Sequence, residues 1–192
     1  MYTNKPVILA SQSPRRKQLL EQAGIPFEVK VVATEEIYPP GLDIPEIPVY
    51  IAREKAAAVR SLCAPDDIII AADTVVVLGE TIIGKPKNRE DAIAILSRLS
   101  GREHQVITGV VIQQGDQETA FSKITSVHFK PLTPEQITYY VDHFEPFDKA
   151  GAYAIQEWIG AVGIDSINGC FYNVMGLPVS RVVEELLALT GS

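Results

Sequence analysis

The sequence predicts an α/β protein, a mixed twisted sheet flanked by helices and split by a cleft into two lobes. Three observations predict it. Short β-like runs alternate with helical ones along the whole chain. Val7–Ala10 reads as a strand that passes almost directly into a helix opened by Ser13-Pro14. Ile68–Ala72 is continuously apolar, as a strand buried on both faces should be.

The elements follow in order. Ser13 is placed to cap the first helix, Pro14 to occupy its first position, and Gly24 to stop it after Ala23. Phe27–Val32 is a second strand, followed by a turn-rich loop, Tyr38-Pro39-Pro40-Gly41. A helix is expected from Pro48 to Leu62. After Ile68–Ala72, the runs Val75–Leu78 and Thr81–Ile83 flank Gly79-Glu80, a hairpin signal. Asn88 caps a helix to Leu99 that Gly101 ends. Val106–Gln113 and Ser122–Phe129 are strands joined by a polar turn. Thr133-Pro134-Glu135-Gln136 is a capping box, and its helix should bury Ile137, Tyr140, Val141 and Phe144. Beyond Pro146 the pattern reads as loop and short strands turning at Asn168-Gly169. A last amphipathic helix, Pro178–Leu189, carries Val182, Val183, Leu186 and Leu187 on its apolar side. The 192 residues suit one domain or two closely joined lobes, and the whole chain, 1–192, is read as a single domain.

Composition narrows the function. With 46% apolar and 21% charged residues the chain is an ordinary globular one. Seventeen basic against 24 acidic residues give a formal net charge of −7, a poor match for nucleic acid or an anionic membrane. A polyanionic ligand would need a local cluster of cations, helped by a metal ion. Cys63 and Cys170 form no C-x-x-C pair and no disulfide framework, which fits a reducing compartment. The start of the chain, to Pro6, lacks a signal-peptide pattern, and no run reaches transmembrane length. The expectation is a soluble cytoplasmic protein.

Several segments could carry chemistry. Ser11-Gln12-Ser13-Pro14-Arg15-Arg16 joins a strand end to a helix start, where free N–H groups and the helix dipole favour an anion. Two hydroxyls and two guanidinium groups, well shaped for phosphate, are added there. The competing reading is a capping serine with two solvated arginines. Gly79-Glu80-Thr81-Ile82-Ile83-Gly84-Lys85-Pro86 comes close to a P-loop, but Pro86 stands where a metal-binding hydroxyl is needed, and the glycines sit around a hairpin, not between strand and helix. Lys85 remains as a cation held beside a proline. Asp73-Thr74 comes at the carboxyl end of the buried strand, where α/β proteins place functional groups; a turn aspartate is the alternative. Glu35-Glu36 is a candidate metal carboxylate or a solvated acidic pair. Arg53-Glu54-Lys55 lies in a helix whose Ala56, Ala57 and Ala58 would permit close packing. Asp148-Lys149-Ala150-Gly151-Ala152-Tyr153 puts an acid and a base before a small-residue stretch that a ligand could approach closely. The histidines, His104, His128 and His143, have no zinc spacing, and nucleophile-elbow and dinucleotide fingerprints are missing. His128, on a strand, reads as structural.

In this order the segments resemble the Maf family of nucleoside triphosphate pyrophosphatases. The resemblance is carried by Leu9-Ala10-Ser11-Gln12-Ser13-Pro14-Arg15-Arg16, Glu36, Ala52-Arg53-Glu54-Lys55-Ala56, Ala72-Asp73-Thr74, Gly84-Lys85-Pro86, Asp148-Lys149-Ala150-Gly151-Ala152-Tyr153 and Val174-Met175-Gly176-Leu177-Pro178. It implies a Maf/ITPase-like fold with a deep cleft, a homodimer, and hydrolysis between the α- and β-phosphates. Arg15, Thr74 and Gln156 match the branch acting on dTTP, UTP and related modified pyrimidine nucleotides; the sister branch, acting on 7-methyl-GTP, carries tryptophan, glutamine and glutamate there. Ala154 and Glu157 stand where the family often has glycine, which stiffens the loop around Gln156.

The implied site has Asp73, Glu36, Lys55 and Lys85 as catalytic residues. Ser11, Ser13, Arg15, Arg16, Thr74, Lys149 and Gln156 would bind substrate. Glu36 and Asp73 would hold a divalent cation, Mg2+ or Mn2+, through oxygen. Asp73 is available as base, as metal ligand, or as both. The alternatives are 7-methyl-GTP pyrophosphatase activity and a nucleotide-binding regulator of cell division and septum formation; paired acids among cations favour an enzyme.

Overall fold

In the computed structural model, which describes residues 2–190, the expected class is found: a seven-stranded mixed sheet with helices. The elements are β1 (Val7–Leu9), α1 (Pro14–Gln22), β2 (Glu28–Val29), α2 (Ile47–Arg60), β3 (Ile68–Leu78), β4 (Thr81–Ile83), α3 (Arg89–Leu99), β5 (Glu103–Gln114) and β6 (Gln117–Phe129). They continue with α4 (Pro134–Phe144), α5 (Trp158–Gly163), β7 (Ile164–Asn168), α6 (Phe171–Met175) and α7 (Val179–Thr190). Strand order is β2-β1-β3-β5-β6-β7, with β4 also paired to β3.

The chain divides into two compact units. The first comprises the described parts of Met1–Asp73, Thr108–Lys123 and Gly176–Ser192; the second comprises Thr74–Ile107 and Ile124–Met175. Three of the four crossings from one unit to the other fall inside β3, β5 and β6.

In the first unit, β1 pairs in parallel with β2 and with the start of β3, Ile8 opposite Ile69. The core gathers Ile8, Ala10, Ala52, Ala56, Val59, Ile69, Ala71 and Val111. Ala52, Ala56 and Val59 lie on one helical face of α2, so small residues form its seam. Gly109 is needed opposite that seam, because a Cβ there would collide with the backbone of Pro48 and Val49. Close approach of this helix thus rests on Ala52, Ala56 and Gly109, while Ala57 is exposed. The second strand is shorter than expected. Only Glu28 and Val29 pair, because β1 is three residues long and offers no further register.

The second unit holds the β3–β4 hairpin, with Val76 opposite Ile83, and β7 antiparallel to β6. Helices α3 and α4 bury Ala92, Ile95, Leu96 and Leu99 and Ile137, Tyr140 and Val141 respectively. The capping box is formed: Thr133 N–H donates to Gln136 Oε1 at 2.9 Å, and Gln136 N–H donates to Thr133 Oγ1 at 3.3 Å. Phe144 is only half-buried. The region after Pro146 matches the loop-and-strand reading only in β7, a short strand that ends at the expected Asn168-Gly169. The rest forms two 3-10 turns, Pro146–Asp148 and Ala150–Ala152, then α5 and α6. Helices of five or six residues have no room for an amphipathic period.

The structure also corrects the setting of Asp73-Thr74. They do not end a strand. They lie in the middle of the 11-residue β3, between its parallel pairing with β1 (through Ile70) and its antiparallel pairing with β4 (from Val76).

Candidate active site

In the first unit, β1 and α1 build the serine–arginine segment. Ala10 N–H donates to Ile70 O at 2.8 Å, which holds the strand end beside β3. Ser13 caps α1, its hydroxyl accepting from Arg16 N–H at 3.5 Å, and Pro14 occupies the first turn. Arg16 is buried rather than solvated. Its Nε donates to Gly176 O at 2.8 Å and its Nη1 donates to Ser11 Oγ at 3.2 Å. Ser13 N–H also donates to Ser11 Oγ. Burial pushes the Arg16 pKa down, opposed by the charge of Asp73. The guanidinium therefore joins the Ser11 segment to the Gly176 segment, a bond no sequence pattern announces. Arg15 is half-buried.

On α2, Lys55 sits one residue before the buried Ala56, so its stem is half-buried and its tip leaves the seam. The ammonium lies 2.9 Å from Glu36 Oε1 and 2.7 Å from Asp73 Oδ1. Asp73 is itself buried and Glu36 is largely exposed. Burying a carboxylate without a partner is costly; here the ammonium compensates it. Three sequence-expected residues are thus brought into contact. Arg15 and Arg16 add their positive charges to that of Lys55 beside Asp73 and Glu36.

Among the described residues, no three or more His, Cys, Asp or Glu side chains gather in a metal-holding group. Glu36 and Asp73 nevertheless converge on one cation, Lys55 Nζ. Two convergent carboxylates suit magnesium or manganese, whose remaining ligands are commonly water and phosphate oxygens.

In the second unit, Thr74 follows Asp73 along β3 and is half-buried. Lys85 is exposed in the turn after β4. Gly151 N–H donates to Gly84 O at 3.1 Å, tying that turn to the small-residue stretch. Gly151 has φ +72°, and a Cβ there would lie 2.9 Å from Val76 Cγ2, so both conformation and space require glycine. Lys149 is buried, 2.8 Å from Asp148 Oδ1 and 3.6 Å from Glu157 Oε1. Tyr153, Ala154 and Ile155 are buried, and Gln156 emerges from them exposed.

The partners of two buried hydroxyls, those of Tyr140 and Tyr153, escaped the sequence reading. The Tyr140 hydroxyl, on the buried face of α4, donates to Glu157 Oε2 and accepts from Ala154 N–H at 3.1 Å. The available signal was physical: a tyrosine on an apolar helix face must find a partner for its hydroxyl, although the sequence does not say which. Deeper in this unit His104 Nε2 and Tyr153 Oη are 2.8 Å apart, beside Phe129. Burial lowers the His104 pKa to about 4 and raises that of Tyr153, so both are neutral at pH 7.

The family model described as "Maf-like protein" matches residues 6–189. The chain belongs to the Maf-like protein family. Among its relatives, a dTTP/UTP pyrophosphatase of Cytophaga hutchinsonii is 54% identical over 95% of this chain and 84% of its own. A dTTP/UTP pyrophosphatase of Parabacteroides distasonis is 51% identical over 94% of each. A solved Ham1 protein of Staphylococcus aureus is far more distant, with 17% identity, 65% of this chain and 72% of that chain covered, and a TM-score of 0.41. In this Maf-like protein no helix among the described residues is long and apolar enough to cross a membrane, and Cys63 and Cys170 are both free thiols.

Proposed function

We propose that this Maf-like protein hydrolyses dTTP, UTP and related modified pyrimidine nucleotides to the monophosphate and pyrophosphate. The Lys55 bridge between Asp73 and Glu36 carries the chemical part of the reading. The substrate class is supported by the two relatives named dTTP/UTP pyrophosphatase.

Roles follow from chemistry. Asp73 accepts a proton at its carboxylate from the water that attacks the α-phosphate. Lys55, on Asp73 Oδ1, orients that carboxylate and offsets its charge. Glu36 and Asp73 would also hold magnesium or manganese, and the bound ion would neutralise phosphate charge. Ser11, Ser13, Arg15 and Arg16 bind the phosphate end; Lys85 and Lys149 counter the charge of the departing pyrophosphate. Thr74 leaves room beside Asp73, and Gln156 offers one acceptor and two donors to a pyrimidine edge that carries a carbonyl and an N–H. Catalysis is chiefly positioning and electrostatics. The protein acts in the cytoplasm as a homodimer, which light scattering after gel filtration tests.

The deciding experiment is pyrophosphate release from a panel of nucleoside triphosphates with magnesium. Monophosphate and pyrophosphate should appear in equal amounts, fastest from dTTP and UTP. Diphosphate and inorganic phosphate as main products would reject the reading.

A further inference from the structure

The Ala154–Trp158 stretch is held by backbone bonds, a buried hydroxyl and a carboxylate. Glu157 N–H donates to Ala154 O at 3.1 Å and Gly160 N–H donates to Glu157 O at 3.0 Å, so the stretch closes on itself and enters α5. Gly160 permits this, since a Cβ there would collide with Ile155 O. Trp158 lies against Tyr139 at a ring-centroid distance of 5.0 Å. The adjacent residue of α4, Tyr140, is fully buried, and its hydroxyl takes the Ala154 N–H on one side and gives its proton to Glu157 Oε2 on the other. The second oxygen of the same carboxylate, Oε1, faces Lys149 Nζ at 3.6 Å. One carboxylate thus touches both the backbone anchor of the Gln156 stretch and the Lys149 ammonium.

We infer that Glu157, held by Tyr140, is a positioning residue that fixes Lys149 and Gln156 relative to each other and so sharpens substrate selection. The inference rests on the proposed roles of Lys149 and Gln156. A charged acceptor makes the stronger bond to a buried hydroxyl, and it holds a lysine that would otherwise follow the more exposed Asp148. With Lys149 fixed, the exposed amide of Gln156 meets a substrate from a constant frame. Selection by hydrogen bonds requires such rigidity, because an amide that can move pairs with a wrong edge as well.

The tests are Glu157→Gln, which keeps the size and an acceptor but removes the charge, and Tyr140→Phe, which removes the hydroxyl. Each should raise KM for dTTP about fivefold or more and shrink the dTTP/CTP ratio of kcat/KM. The effect of Glu157→Gln on KM should vanish in a Lys149→Met background. A merely structural role would lower the active fraction and melting temperature and leave KM and the ratio alone; that result in both variants would overturn the inference. Trp158, the single tryptophan, supplies a readout independent of turnover. Its acrylamide quenching should increase in Tyr140→Phe at unchanged far-UV circular dichroism. Unchanged quenching in both variants would also overturn the inference. If the parent protein leaves dTTP and UTP intact, the proposed function fails, whereas the Trp158 response still reports on the anchor itself.

Discussion

The two units bury polar groups in opposite ways. The first keeps charge inside and pairs it: Arg16 with Gly176 O and Ser11, Asp73 with Lys55. Apart from Lys149, the second buries neutral groups, with His104 on Tyr153, Asn173 Nδ2 donating to Val106 O at 3.1 Å, and Tyr140 receiving the Ala154 N–H. Paired charges suit phosphate and proton chemistry, since they supply strong fields without reorganising. Neutral hydrogen-bonded groups suit shape and edge recognition, since they fix a loop without attracting every anion. On the roles proposed above, the paired charges of the first unit would serve the proton chemistry, and the neutral contacts of the second would serve discrimination.

The largest expected effect is on chemistry. Asp73→Asn keeps the shape but removes the proton acceptor, so kcat should fall about 10²–10⁴-fold while circular dichroism stays unchanged. Near-normal turnover in the folded variant would move the base to another residue, Glu36 first.

Next comes acid sensitivity, which the comparison places in the second unit. His104 titrates near 6.5 when unfolded and at about 4 when folded. The unfolded chain therefore binds the extra proton between these values, and stability is complete above about pH 6.5 and falls as pH drops towards 4. A shift of that size corresponds to about 3 kcal/mol. Urea unfolding at pH 7 and pH 4.5 should show His104→Gln losing less stability than the parent over that interval; equal losses would remove His104 as the cause.

Arg16 gives a smaller, structural effect. Arg16→Met keeps the bulk but removes the donors to Gly176 O and Ser11 Oγ, and should cost about 2 kcal/mol in urea unfolding. A loss of nucleotide affinity with no loss of stability would make Arg16 a phosphate ligand only.

The smallest change concerns selection. Gln156→Glu should lower kcat/KM for dTTP and UTP about tenfold relative to 7-methyl-GTP. An unchanged ranking would show that Gln156 does not read the base.

Much of this was legible because it is local. Helix starts at Ser13-Pro14, Asn88 and Thr133 follow from capping chemistry within four residues, and all three caps are formed. Elements set by partners were less legible. The length of β2 depends on β1, and the unbroken course of β3 through Asp73-Thr74 depends on different partners at its two ends. A polar pair inside an apolar run looks like a strand end until a lysine from a helix supplies the compensating charge.

The sequence by itself determined the α/β class, the helix starts at Ser13-Pro14, Asn88 and Thr133, the family, and the identity of the acids, cations and amide from which a site could be made, since periodicity, caps and ordered motifs are written along one chain. Only the tertiary structure decided that Lys55 bridges Glu36 and Asp73, that Arg16 is buried on Gly176, and that Tyr140 holds Glu157. Those contacts join residues 17 to 160 positions apart. A partner at such separations is chosen by packing and by the need to satisfy each buried charge or hydroxyl, and neither is encoded in local spacing.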